Sequence, residues 1–471
     1  MSLRITRACV VIVAACALFA LVIRSSATTT PTPTPSSGTI PPPLAPAGVI
    51  VNADGVLRTQ VYDDQTGALR RRRVEEAQAR LNDKVAARSN LRKVSLTRLE
   101  KAIRARREAG QEPTDEMLCL AGLLRLRYVF LYPDSGDIVI AGPAEGWFHD
   151  LSGRVVSLTS GRPVLELQDL VVALRAYPPG QDQGPLIGCS IDPTPEGLAR
   201  MQNFLRSMGG SATPEDTEFI VDGLRTALGL QKVAIRGISP NTHFAQVMVE
   251  ADYRMKLIGI GLERPPVALR SYVDRANPAT VGKNALQRWY FVPEYKCVRV
   301  TEDHESMELV GDGVKLVGAD EVVGAGGQRT KSKTTNGASV SFVTGFTKKY
   351  PDLAAKSPVF AQLRNLIDMS VAAAFIQQNH YYEKAGWNME TFGNEEAFPV
   401  ETYNAPVEVE SAVNSVWKGN QLMTPIGGGV SVRAHEALAT DNLLSDDGKK
   451  VEKAHENTTV QGLAEGQWWW D

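Results

Sequence analysis

"THFAQVMVEADYRMKLIGIGLERPP", Thr242–Pro266, is the stretch whose reading decides the middle of the chain. It sets His243, Glu250, Asp252, Arg254 and Lys256 among apolar residues. Two periodicities compete in it. On a strand, side chains alternate. Gln246, Met248, Glu250, Asp252, Arg254 and Lys256 then share one face, and His243 joins Val247, Val249, Ala251 and Tyr253 on the other. On a helix that starts at about Asp252, that residue is a cap. On a helix that starts earlier, Glu250–Arg254 and Asp252–Lys256 are favourable i,i+4 pairs. Each reading gives both acids positive neighbours, which predicts lowered carboxyl pKa values. The stretch therefore reads first as a self-neutralised structural element. Its second reading is a site, with Glu250, Asp252 and His243 as catalytic candidates and Arg254 and Lys256 as binding cations. On the strand reading, His243 is a core or strand-entry histidine rather than a base.

Outward from this stretch, helices and strands mix. "QKVAIRGI" and "PLIGCSID" read as strands. Between them, "TPEGLARMQNFLRSMGG" offers Thr194 as N-cap and Pro195 at the first helical position, and "TPEDTEFIVDGLRTALG" repeats the logic from Thr213 to Gly229. "VLELQDLVVALRAY" has helical spacing, and "RYVFLYPDSGDIVIAG" reads as two strands about a turn. Downstream, "QRWYFVPEY", "KCVRVTED" and "SMELVGDGVKLVG" predict a meander with a hairpin turn at Asp312-Gly313. "VVGAGGQRTKSKTTNGAS" reads as a polar loop. "SPVFAQLRNLIDMSVAAAFIQQ" is the longest expected helix, with Arg364 and Asp368 as a surface pair. The fold class is α+β, with largely antiparallel strands. Two lobes are expected, 48–240 and 241–430, meeting near Gly237–Thr242. Residues 431–471 read as a polar, loosely ordered tail, whose "GQWWWD" end is either a docking or membrane-interface peptide or a tucked terminus.

The N-terminus carries an address. Arg4 and Arg7 precede the uncharged run "ACVVIVAACALFALVI", and Ser25 and Ala27 supply a small-x-small cleavage site. Residues 1–27 match a secretory signal peptide. "TTTPTPTPSSGTIPPPLAPAG" is too rich in Pro, Thr and Ser to bury a core, so 28–47 is a linker. The protein is expected in the periplasm, the cell envelope or outside the cell, touching membrane only through an uncleaved leader. Beyond the leader, Cys119, Cys189 and Cys297 remain, an odd set without CxxC spacing that is expected to be buried.

With 471 residues, 43% apolar composition and a net charge of -2, the chain is ordinary globular material with no global polyanion signature. Charge is uneven, however. Residues 70–107 hold 14 Lys/Arg against 4 Asp/Glu. Leu91, Val94, Leu96, Leu99 and Ile103 lend the segment 69–109 a helical pattern, with Gly110 as its stop. Arg70, Arg71, Arg72 and Arg73 are the candidate cations for an anionic partner, set against a solvated helix face. Nucleic acid is not expected, because the segment lacks interleaved aromatics.

Motifs that carry chemistry are missing. "GIGLER" lacks the third glycine of a dinucleotide loop, and "GAGGQRTKS" lacks the spacing of a phosphate loop. In "GCSID", Asp192 stands where a nucleophile elbow needs glycine. No histidine pair or acid string marks a metal, so no cofactor and no metal are expected.

Several stretches together resemble an uncharacterised family of exported bacterial proteins, a domain-of-unknown-function family. They include "LRKVSLTRLEKAI", "YPDSGDIVIAGPAEGW", "IGCSIDPTPEGLARMQ", "THFAQVMVEADYRMKLIGIGLE", "NALQRWYFVPEY" and "TPIGGGV". The resemblance implies no activity, cofactor or catalytic residue. The leading expectation is a non-catalytic envelope protein that binds an envelope protein or an anionic polysaccharide. The alternatives are an extracytoplasmic hydrolase near Glu250 and Asp252, and a self-assembling structural subunit.

Overall fold

Thr242 resolves the competition between the two periodicities. Its Oγ1 accepts a hydrogen bond from the Ala245 amide at 3.2 Å, and His243–Gly259 is a helix of 17 residues. The strand reading of this stretch is thus corrected. The pattern misled because the helix is buried on nearly every side, so no polar solvent stripe reveals its 3.6-residue period.

The computed structural model describes residues 47–471 except 209–212, 277–284, 324–328, 332–335, 415, 419–420 and 424–426. The leader, residues 28–46 of the linker, and most of the polar loop after Val323 lie outside the described residues. The longer helices are α1 (Ala68–Arg80), α2 (Leu96–Glu108), α3 (Leu167–Ala176), α4 (Pro195–Ser207), α5 (Thr217–Leu228), α6 (His243–Gly259), α7 (Gly337–Lys356), α8 (Pro358–Gln378) and α9 (Lys450–Glu456). With two large sheets they make an α+β fold.

The first sheet has nine strands. In spatial order they are Ala47–Val51, Val56–Val61, Glu408–Val409, Gln231–Arg236, Ile187–Asp192, Gly428–Val432, Ala285–Pro293, Val314–Val323 and Arg329–Lys331. The second has seven: Leu444–Ser445, Val298–Val300, Ser306–Leu309, Tyr128–Tyr132, Asp137–Ala144, Ser89–Ser95 and Trp469–Trp470. Pairing is largely antiparallel. Gly428–Val432 lies parallel to Ala285–Pro293 and antiparallel to Ile187–Asp192. Its glycines allow that fit. Gly428 has φ 145°, and a Cβ there would lie 2.1 Å from the Trp289 carbonyl. Both sheets, and the largest core running from Val51 to Trp468, draw residues from each side of 240. The expected boundary near Gly237–Thr242 therefore does not separate one sheet from the other.

α8 packs against α3, α6 and α7 at the centre. It is apolar and long enough to span a membrane, yet it is enclosed by the rest of the protein. Asp368 on it is buried and bonded to Arg125 Nε at 2.8 Å, which corrects its reading as half of a surface pair with Arg364. α6 packs on Ile187–Asp192, Gly428–Val432 and Ala285–Pro293. α4 and α5 stand between two adjacent strands as a hairpin with its own small core of Leu198, Met201, Leu205, Ile220, Leu224 and Leu228.

Three further expectations change. Asp312-Gly313 is not a hairpin turn but a crossing between sheets. Ser306–Leu309 pairs within the seven-stranded sheet, while Val314–Val323 pairs within the nine-stranded one. The basic segment is not one helix, because Leu91 and Val94 lie on Ser89–Ser95, which is zipped against Asp137–Ala144. The C-terminal segment is not loose. Trp469 pairs with Val94 and Trp470 with Lys93, and the Ser95 amide donates to the Trp468 carbonyl at 2.9 Å. Arg92, fully buried, donates to Asp471 at 2.9 and 3.0 Å and to the carbonyls of Lys84, Val85, Ala87 and Ala121. Its guanidinium carbon lies 4.7 Å from the Trp469 ring. The tryptophan cluster is the tucked terminus.

Candidate functional site

Residues two apart on a helix point about 200° from each other, because each step turns about 100°. The acids that would share a strand face are therefore parted by α6. Glu250 and Arg254 lie on one side, Asp252 and Lys256 on the other.

On the first side, Glu250 Oε1 lies 3.4 Å from Arg254, and Oε2 accepts from Arg154. Arg154 also donates to Gln362 Oε1 on α8 at 2.8 Å. Arg254 continues to Glu263 at 2.8 Å. Glu250 is buried, and its charge is balanced inside the fold. On the second side, Lys256 Nζ donates to Asp252 Oδ2 at 2.9 Å and to the Ile191 carbonyl at 3.1 Å. Asp252 is fully buried, and its Oδ1 has no hydrogen-bond partner among the described residues. Burial pushes its carboxyl up to about 6, against the pull of Lys256. That overturns the expectation that positive neighbours lower it. Removal from water outweighs one ammonium group. Lys256 lines a cavity of about 10 Å³, no more than a water site. Arg254 and Lys256 are thus held inside the structure and are poor candidates for binding an outside anion.

His243 is the first residue of α6. Its Nδ1 lies 2.8 Å from Asp169 Oδ2, and its Nε2 lies 3.9 Å from Glu166 Oε1. Glu166 is the N-cap of α3, and Asp169 sits in its first turn. Burial pulls the imidazole pKa down, but Asp169 and Glu166 together push it up to about 9. The two carboxylates favour its charged form, which makes it a poor base. The sequence gives no hint of this grouping, since Glu166 and Asp169 are i,i+3 acids far from His243 in the chain. Beside it, Val172, Arg175, Ser239, Thr242, Glu395 and Thr402 help to line a cleft of about 370 Å³. Thr242 adjoins His243, and Val172 is one turn beyond Asp169; His243 and Asp169 do not themselves line it.

Among the described residues, no Ser, Thr or Cys side chain is hydrogen-bonded to a histidine. Cys119, Cys189 and Cys297 are free and buried, and burial raises the pKa of each thiol.

Arg70, Arg71, Arg72 and Arg73 lie exposed at the start of α1. Arg72 pairs with Glu76 at 2.8 Å. Arg71 donates to the Thr66 carbonyl at 2.9 Å, Arg73 donates to the His149 and Asp150 carbonyls, and Arg70 lies 5.8 Å from the Phe148 ring. Carbonyls and rings orient a guanidinium without cancelling its charge. Elsewhere in the basic segment, Arg80, Arg88, Arg92, Arg98 and Arg104 pair with Asp115, Glu145, Asp471, Asp137 and Glu390. Arg70, Arg71 and Arg73, with no carboxylate partner among the described residues, therefore lie together as exposed positive charge at the start of α1.

Residues 189–272 match the model of a family described as a protein of unknown function, DUF1598. The matched region runs from Cys189 in the nine-stranded sheet through α4, α5 and all of α6. No curated protein and no solved structure matches the chain.

Proposed function

We propose that this is an exported, non-catalytic protein of the cell envelope that binds an anionic polymer, with α1 as the binding face. The reading rests chiefly on Arg70, Arg71 and Arg73, which are exposed and have no carboxylate partner among the described residues, while five other arginines of the same segment pair with acids elsewhere. A row of uncompensated guanidinium groups attracts carboxylates or phosphates repeated along a polymer. Export is supported by the leader and the Pro/Thr-rich linker. The hydrolase alternative needs Glu250 and Asp252 on an open cavity, and their burial among Arg154, Arg254 and Lys256 counts against it.

The test is equilibrium binding of the full chain to an anionic polysaccharide, with polygalacturonate as probe. Wild type should bind, and raising the salt from low to physiological ionic strength should weaken it. The variant with Arg70, Arg71 and Arg73 all changed to Ala should lose most of the binding. Unchanged binding in that variant overturns the reading.

A further inference from the structure

Glu166, Asp169 and His243 meet where the first turns of α3 and α6 converge. Each offers one ligand atom within 4.8 Å of those of the other two. Asp169 is 4% exposed. Its Oδ2 faces His243 Nδ1, and its Oδ1 is enclosed without a hydrogen-bond partner among the described residues. Leaving a buried acceptor bare costs about 1–3 kcal/mol, more when it is charged. Asp252 shares the bare Oδ1 but holds Lys256 on its other oxygen, and two further buried acids are well supplied. Glu100 accepts from Trp387 Nε1 and the amides of Thr391 and Phe392, and Glu308 meets Arg127, Arg299 and Lys450. Asp169 has an imidazole on one oxygen and no hydrogen-bond partner on the other among the described residues.

We propose that Glu166, Asp169 and His243 bind a divalent first-row transition metal, with zinc or manganese as the fitting class. One imidazole nitrogen with two carboxylate oxygens is a donor set these ions take, whereas calcium and magnesium are usually bound through oxygen alone. Bonds of about 2.1 Å to a tetrahedral centre place neighbouring donors about 3.4 Å apart. With one donor atom taken from each residue, the three lie within 4.8 Å of one another, wider than that spacing, so the two carboxylates close in on the ion as it binds. The ion gives Asp169 Oδ1 a positive neighbour. Gln168 Nε2, 2.7 Å from Glu166 Oε2, holds that carboxylate in place as an outer partner. Three protein ligands leave a fourth position for water or a ligand.

The experiment is calorimetric titration of the metal-free full chain with zinc chloride and with manganese chloride at pH 7 and again at lower pH. The expected result is one saturable equivalent of at least one metal, with binding that weakens as pH falls. Asp169→Asn and His243→Gln should each weaken uptake by about 100-fold or more, since loss of even an outer partner costs up to about that much. Changing the exposed Lys101 to Ala should leave it unaltered. No saturable uptake by wild type overturns the proposal, and so does uptake that Asp169→Asn and His243→Gln leave unchanged. Should both variants unfold, cobalt substitution of the wild type decides: a ligand-field spectrum of nitrogen and oxygen donors supports the site, and its absence removes it.

Discussion

Replacing Lys256 with Met removes the one cation bonded to Asp252 among the described residues and leaves a carboxyl with zero exposure and no ionic partner there within hydrogen-bond reach. Breaking a buried pair from one side costs about 3–5 kcal/mol. The cost depends on pH, because the variant acid can take up a proton instead of standing alone. Asp252 in the intact protein is already pushed up to about 6 by burial. Without Lys256 it rises further, so the penalty grows by about 1.4 kcal/mol per pH unit between the two folded-state values. We expect Lys256→Met to lose about 3–5 kcal/mol at pH 8 and clearly less at pH 5, by urea denaturation followed by circular dichroism. The double variant Asp252→Asn with Lys256→Met carries no buried charge here and should be more stable than Lys256→Met alone. A loss under about 1 kcal/mol that ignores pH, or a double variant whose loss is the sum of the single losses, refutes the reasoning. In the wild type the sign is also fixed. Asp252 has its folded-state value above its ordinary 3.8, so its favourable contribution is full below that value and is lost as pH rises through about 6.

Four other outcomes follow from the same structure. Removing Trp468–Asp471 unpairs the edge of Ser89–Ser95 and leaves Arg92 buried without its carboxylate, so thermal melting should show a loss of about 3 kcal/mol or more. Gly428→Ala forces a Cβ to within 2.1 Å of the Trp289 carbonyl and should yield insoluble or unfolded protein, while Gly448→Ala, which meets nothing within 4 Å, should not. Asp137 is held below its ordinary pKa because, although burial acts the other way, Arg98 and Ser95 bond to the ionised form. Its contribution is present above pH 3.8 and fades as pH falls below that, so Asp137→Asn should flatten the acid limb of the stability profile. The three thiols, raised by burial, should react with a disulfide reagent only after denaturant unfolds the chain.

Much of the fold is legible in the sequence where local chemistry is strong. Thr194 and Pro195 start α4 as expected, with the Gly197 amide donating to Thr194 Oγ1 at 2.9 Å. "YPDSGD" turns between Tyr128–Tyr132 and Asp137–Ala144, and Pro358 opens the longest helix. The sequence is silent where a distant partner decides. The period of α6 is masked because neighbours cover it on all sides. Nothing local distinguishes Asp312-Gly313 as a crossing between sheets from a hairpin turn. The "WWWD" end reads as loose because its partner, Arg92, lies at the other end of the chain. The site is legible to the same extent. The i,i+4 pairs Glu250–Arg254 and Asp252–Lys256 can be read from spacing, but the raised carboxyl of Asp252 cannot, since it comes from burial. Glu166 and Asp169 around His243 have no spacing rule at all.

The central claim is that the charged row of α6 is an internal structural element and that α1 meets the outside partner. Native-state hydrogen–deuterium exchange on the full chain, with and without polygalacturonate, tests both halves at once. The account predicts that amides of 247–258 exchange only through global unfolding and do not respond to the polymer, while amides of 68–80 become protected by it. Protection gained at 243–256 with no change over 68–80 would contradict it.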